Sequence, residues 1–182
     1  EVISPGTVII SAVGQCNDIT RVVEPVFQKN SGNIYYINIS QDTYKLGGSS
    51  FAQILTKIGN EAPNVLDANY VKTVFNTLQN LIKNNKISAG HDVASGGLIT
   101  TLLEMCFADN KLGADLDLSC LREQDSIKLL FAENSGIVFQ VSDDSIEETL
   151  KEANIIFHKI GKVTNNEVLN ITNQSETFAL SI

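Results

Sequence analysis

A junction of extended chain, paired glycines and long apolar helix constrains this sequence most. Lys86-Ile87-Ser88-Ala89 reads as a strand, and Gly90-His91-Asp92-Val93-Ala94-Ser95-Gly96-Gly97-Leu98 as a tight turn. The apolar run Leu98 to Phe107 then has the length and composition of a buried helix. A helix start carries unpaired N–H groups and a partial positive charge, so it attracts phosphate. A carboxylate beside such a phosphate is repelled unless a metal lies between them, which makes Asp92 a candidate magnesium ligand. The same junction has a plainer reading, because a strand packed tightly against a helix needs small residues where the two meet.

A second glycine pair, Gly47-Gly48-Ser49-Ser50, precedes Phe51, Ile54, Leu55 and Ile58, which lie on one face of a short helix. The first clear strand signal is Thr7 to Val13, ended by Gly14. Asn17 or Asp18 can cap a helix running to about Lys29, with Pro25 as a kink or early end. Asn33 to Ser40 forms a second strand, and residues 60–66 a loop. From Asp67 an amphipathic helix presents Val71, Val74, Phe75, Leu78, Leu81 and Ile82 as its apolar stripe.

Beyond the apolar helix, Ala114 to Leu118 alternates like a strand with one wet face. Glu123 to Phe131 is a helix, residues 132–136 are a polar turn, and Ile137 to Val141 is a buried strand. Asp144 and Glu147 have the spacing of a capping box for a helix reaching about Asn154. Ile155 to Val163, Val168 to Ile171 and Thr177 to Ile182 are closing strands. Helices and strands alternate early and strands cluster late. The expected class is therefore α+β: a mixed β-sheet carrying packed helices in one domain spanning residues 1–182.

The 182 residues suffice for a full core, and 43% of them are apolar. Twenty-one acidic against 13 basic residues give a net charge of −8, which argues against a broad nucleic-acid or anionic-membrane surface. A small phosphate site built from backbone N–H groups and a metal stays compatible with that charge. No apolar run is long enough to span a bilayer. Cys16, Cys106 and Cys120 are odd in number and widely spaced. They are expected to be small buried hydrophobes in a reducing, cytoplasmic setting. The opening Glu1-Val2-Ile3-Ser4-Pro5 and the single Met105 suggest a piece of a longer protein.

Three segments then point to a family. They are Lys45-Leu46-Gly47-Gly48-Ser49-Ser50-Phe51-Ala52-Gln53, the stretch Gly90 to Leu98 with Leu103-Glu104-Met105-Cys106-Phe107-Ala108, and Leu130-Phe131-Ala132-Glu133-Asn134-Ser135-Gly136. In this order they resemble the C-terminal-type domain of the aminoimidazole ribonucleotide (AIR) synthetase superfamily, and more narrowly the phosphoribosylformylglycinamidine (FGAM) synthases. That resemblance implies an ATP- and glutamine-dependent ligase of purine biosynthesis. It also implies a preceding AIR-synthetase-N-terminal-like domain and a glutaminase domain in the same chain. The Lys45 and His91 segments look like those of the half that holds an auxiliary ADP with Mg2+, rather than the catalytic ATP.

Carried over by residue, Asp92 matches the family's magnesium aspartate. Gly47, Gly48, Ser49, Ala94, Ser95, Gly96, Gly97 and Glu133 fall at nucleotide- or ligand-contacting positions, and no residue is assigned to catalysis. Ala94 stands where the family commonly has serine, and Ser95 where it commonly has aspartate, so Ala94 has no side-chain hydrogen bond to offer. His91 reads first as a hydrogen-bonded structural histidine, with nucleotide contact or a base role as the alternative, and Glu104 as a helix carboxylate facing solvent or capping a buried polar group, with catalysis as the lesser reading. Two alternatives remain. One is another ATP-dependent superfamily member, such as AIR synthetase, selenophosphate synthetase, thiamine-phosphate kinase or a hydrogenase maturation factor. The other is an architectural domain without ligand.

Overall fold

The computed structural model describes residues 9–16, 18–29, 31–108 and 111–182. The regular elements are β1 (Asn33–Asn38), α1 (Ser50–Ile54), α2 (Ala68–Lys83), β2 (Ile87–Val93), α3 (Gly97–Phe107), β3 (Gly113–Asp117), α4 (Ser126–Phe131), β4 (Gly136–Val141), α5 (Ile146–Glu152), β5 (His158–Thr164), β6 (Val168–Asn173) and β7 (Glu176–Ser181). The seven strands form one sheet in the order β2-β4-β1-β5-β3-β6-β7. Among the described residues only the β3–β6 pairing is parallel, so the sheet is mixed, as the sequence pattern implied.

Side chains alternate across a strand, and both faces of this sheet are covered. Ile34 and Tyr36 of β1 join Leu98, Leu102, Met105 and Leu129 in one core, beneath α3 and α4. Their neighbours Tyr35 and Ile37 join Val74, Leu78, Leu81 and Leu150 in the other, beneath α2 and α5. The run Asn33 to Ile37 is therefore buried without a break, as befits a central strand with two covered faces.

In α2, Asp67 caps the first turn by accepting from the Asn69 N–H at 2.8 Å. The buried stripe is Tyr70, Val74, Leu78 and Leu81. It is rotated relative to the expected one: Tyr70 lies inside, while Phe75 is 60% exposed beside the sheet edge.

Several expectations at the margins are corrected. Residues 9–13 form no strand, and Ile9, Ile10 and Val13 stand exposed, because β-branched residues make a strand only with a ladder partner. Residues 7 and 8 and Asn17 lie outside the described residues. The expected helix to Lys29 is a single 3₁₀ turn, Ile19–Arg21, capped by Asp18. Pro25 removes a helix donor and restricts Glu24. The chain instead docks by backbone bonds, with Gly90 N donating to Glu24 O at 3.1 Å and Phe27 N to Met105 O at 2.9 Å.

The helix expected to reach Ile58 stops at Ile54. α4 starts at Ser126 under an Asp125 cap, three residues later than expected. Asp144 forms no capping box, since Ser145 holds the N-cap position of α5 without a side-chain cap bond. Asp144 is drawn away by Asn33, Tyr35 and Lys159. β5 begins at His158 rather than Ile155. Of the cysteines only Cys106 is buried; Cys16 and Cys120 are exposed.

Candidate functional site

The strand register brings the three sequence segments to one end of the sheet. Val93 at the end of β2 pairs with Gly136 at the start of β4, and Asn38 at the end of β1 pairs with the same Gly136. The loops leaving β1 and β2 and the loop entering β4 must therefore meet there. Ser40 N donates to Ser135 O at 2.9 Å, which closes the group. Asn134, 1% exposed, donates from Nδ2 to Ser40 Oγ (3.0 Å), Asp42 O (3.2 Å) and Thr43 O (3.2 Å) and so holds the loop after β1. Sequence reading placed Asn134 in a polar turn but had no signal for this tie, whose partners lie more than ninety residues away.

Glu133 is the centre of the arrangement. Its Oε1 accepts from Ser50 N and from Gly96 N, each at 2.8 Å, so one carboxylate oxygen receives an amide from both glycine-pair loops. Burial pushes the Glu133 carboxyl up. The Ser50 and Gly96 amides and the Ser50 hydroxyl pull it further down, and the net result lies below the usual glutamate range. Phe51 and Phe131, with ring centroids 4.8 Å apart, pack α1 against α4 beside it.

The amides expected to greet a phosphate are already engaged. Gly47 N donates to Glu61 O (2.8 Å), Gly48 N to Ile58 O (2.7 Å), Ser49 N to Leu46 O (3.3 Å) and Gly97 N to Ala94 O (3.1 Å). Ser49, buried, caps α1 by accepting from Ala52 N at 3.2 Å while its hydroxyl donates to Leu46 O at 2.7 Å. In this structure a carboxylate of the chain itself fills the place expected for an anion, between the two helix starts.

The glycines answer to sterics. A Cβ on Gly97 would lie 2.7 Å from Leu130 O and 2.9 Å from Ala132 O, and its φ is +75°. A Cβ on Gly47 would meet backbone atoms of Glu61 within 2.5 Å. Gly48, at φ +73°, has open space around it and is glycine for conformation alone.

Asp92 lies within β2 rather than in a turn; the turn is confined to residues 94–96. Its side chain is 75% exposed, with His91 Nδ1 3.4 Å from Oδ1. It lines one side of a cleft of about 430 Å³ with Val23, Phe75, Leu78, Gly90 and His91. Ala94 and Ser95 are also exposed, while Gly97 and Ser49 are buried. Among the described residues no three His, Cys, Asp or Glu side chains gather as a metal cage. One exposed carboxylate does fit Mg2+ in its usual protein setting, where a carboxylate or two are joined by phosphate oxygens and water.

A family model, "AIR synthase related protein, C-terminal domain", matches residues 37–172. The chain belongs to that family. Among its relatives, a probable phosphoribosylformylglycinamidine synthase of Arabidopsis thaliana, named as chloroplastic/mitochondrial, is 38% identical over 176 residues. That match covers 92% of this AIR synthase C-terminal-type chain and 12% of the plant protein. The human phosphoribosylformylglycinamidine synthase is 37% identical over 151 residues, covering 81% of the chain and 11% of that enzyme. The chain thus spans a small part of the curated relatives it matches. In fold, it resembles Thermotoga maritima PurL, solved in complex with FGAR, at a TM-score of 0.69 and 16% identity over 90% of this chain and 29% of that one. Among the described residues, no helix is long and apolar enough to cross a membrane.

Proposed function

We propose that this chain is one domain of a phosphoribosylformylglycinamidine synthase, an ATP- and glutamine-dependent ligase acting in the cytoplasm, and that it helps hold the auxiliary Mg2+–ADP of that enzyme. The observation that carries the reading is the 38% identity to such a synthase across 92% of the chain. The preceding N-terminal-like domain and the glutaminase domain are the partners this reading requires, and the nucleotide lies between this domain and the former.

Within the site the residues divide by exposure. Asp92 would hold Mg2+, whose charge offsets that of the ADP phosphates. Ala94 and Ser95, exposed at the turn, are the positions left to face the nucleotide, with the Ser95 hydroxyl able to donate. Gly47, Gly48, Ser49, Gly96, Gly97 and Glu133 contribute by fixing the shape of the two loops, since their hydrogen bonds are spent within the chain. On this reading the chain orients a structural nucleotide and does not carry out the chemical step.

The engagement of those amides also favours a second reading, an architectural domain with no ligand. One experiment separates the two. The intact enzyme carrying this chain is purified without added nucleotide, denatured, and assayed for released ADP, beside an Asp92→Ala variant. About one ADP per chain, lost in the variant, supports the nucleotide site. Release of no ADP from either protein refutes it and leaves the architectural reading.

A further inference from the structure

A second cavity, of about 580 Å³, shares no lining residue with the Asp92 cleft. It lies between the loop after β1, the 3₁₀ turn Ser119–Leu121 and the start of β5. Leu66, Leu121 and Ile156 give it apolar walls, and its charged or titratable side chains include Asp42, Glu123, Arg122 and His158.

The two carboxylates are turned to the chain's own donors. Asp42 Oδ2 accepts from Lys45 Nζ and from Asn64 N, each at 2.9 Å, and its Oδ1 accepts from Thr43 N at 2.8 Å. Glu123 Oε1 accepts from Asp125 N at 3.0 Å. The two bases are not matched in this way: among the described residues neither Arg122 nor His158 has an ion pair. Burial holds the His158 imidazole below its ordinary pKa, and the positive charge of Arg122 adds to that. Two groups that repel each other when both are charged thus share one cavity. Tyr44 lines it too; burial pushes its phenol up to about 12, so it keeps its proton and can donate.

The turn that carries Arg122 is fixed in advance. Ser119 N donates to Asp117 Oδ1 at 2.9 Å, Gln174 N to Ser119 Oγ at 2.8 Å, and Arg122 N to Ser119 O at 3.2 Å. Arg122 itself holds φ +60°, in the left-handed region that few residues with a side chain adopt. A guanidinium presents its N–H donors as a planar fork that matches two oxygens of a phosphate or carboxylate.

From this arrangement we infer that the cavity is a binding site for the phosphate or carboxylate group of a small molecule, with Arg122 as the fork and His158 and Tyr44 as further donors. Arg122 supplies the positive charge, so His158 can stay neutral and still donate one N–H. The apolar walls keep water from competing for these bonds. The site makes no use of Asp92 and stands whether or not that residue holds Mg2+.

The test is protection of Arg122 from phenylglyoxal, which attacks guanidinium groups, on the intact enzyme carrying this chain, with labelling read peptide by peptide by mass spectrometry. The other arginine of the chain, Arg21, is held by Asp18 at 3.1 Å and by Lys83 O at 2.7 Å and serves as the internal reference. Inorganic phosphate and acetate are titrated separately against chloride at equal ionic strength. At least one of the two should slow the labelling of Arg122 saturably and severalfold, with Arg21 unaffected. Protection by phosphate alone assigns the site to a phosphate ester, and protection by acetate alone to a carboxylate; protection by both means that it takes either group. His158→Ala should raise the concentration of the protecting ion at half-protection by about three- to tenfold, and His158→Gln, which keeps an N–H donor, should restore most of it. Equal labelling of Arg122 in phosphate, acetate and chloride would overturn the inference. So would an Arg122 that phenylglyoxal cannot reach in the intact enzyme. Unchanged half-protection in His158→Ala would overturn the cavity as the place of binding and leave an adventitious ion only, on an exposed guanidinium.

Discussion

Replacing Glu133 is the most direct probe of the convergence at the sheet end. Its Oε1 accepts two backbone amides, Ser50 N and Gly96 N, at 2.8 Å each. Hydrogen bonds to a charged group contribute roughly 1.5–3 kcal/mol apiece, and water can replace part of that at a half-buried position. Glu133→Ala should therefore destabilise the chain by about 3 kcal/mol, which for a protein of this size lowers Tm by about 6–12 °C. Glu133→Gln keeps an acceptor oxygen but loses the charge, and should cost about half as much. Denaturant unfolding followed by circular dichroism gives the free energies, and amide exchange at residues 49–54 and 95–98 shows where the loss occurs.

The pH dependence has a definite sign. The Glu133 carboxyl is held below its ordinary value, so the folded state binds its proton less readily than the unfolded chain. Its stabilisation is complete above the ordinary glutamate pKa and is lost as the pH falls through the lowered folded value. Glu133→Gln should flatten that part of the acid limb. Unfolding energies within about 0.5 kcal/mol of wild type for Glu133→Ala, with unchanged exchange at both loops, would refute the idea that this carboxylate ties them.

Two further substitutions read the glycine pairs. Gly97→Ala meets the Leu130 and Ala132 carbonyls at positive φ and should cost about 3 kcal/mol or more, whereas Gly48→Ala, with the same sign of φ but open space, should cost about 1–2 kcal/mol; comparative denaturant melts check the order. Asp144 accepts from Lys159, Asn33 and Tyr35, and its carboxyl is pulled down to about 2. Carbon-detected NMR titration should find it there, Lys159→Ala should move it back toward 3.8, and its share of stability should vanish as the pH falls from about 4 toward 2. Loss of ADP from Asp92→Ala, measured on the intact enzyme, completes the set.

Local chemistry was enough to find most elements. Asp67 marked the start of α2, the Leu98 to Phe107 run marked α3, alternation marked β3, and short runs rich in β-branched and aromatic residues marked β1 and β4. These signals are legible because capping and side-chain periodicity depend on residues a few positions apart. The reading failed where stability comes from elsewhere in the chain. Residues 9–13 have the composition of a strand but no ladder, and Val22 to Phe27 traded helical bonds for contacts with Gly90 and Met105. Phe75 fell on the expected apolar stripe of α2 yet stands exposed, because the neighbouring elements, not the periodicity, decide how far a covered face extends.

The sequence by itself determined the family and the mixed α+β class, since the three segments around Gly47, Gly96 and Glu133 are recognisable in one dimension. The tertiary structure alone decided what those residues do to one another. Glu133 lies 83 residues from Ser50 and 37 from Gly96. Only the antiparallel register of β4 with both β1 and β2 turns those separations into two hydrogen bonds on one oxygen. A helix start read from sequence is an open set of donors. Whether a ligand or the chain's own carboxylate satisfies them depends on which strand ends the sheet places side by side.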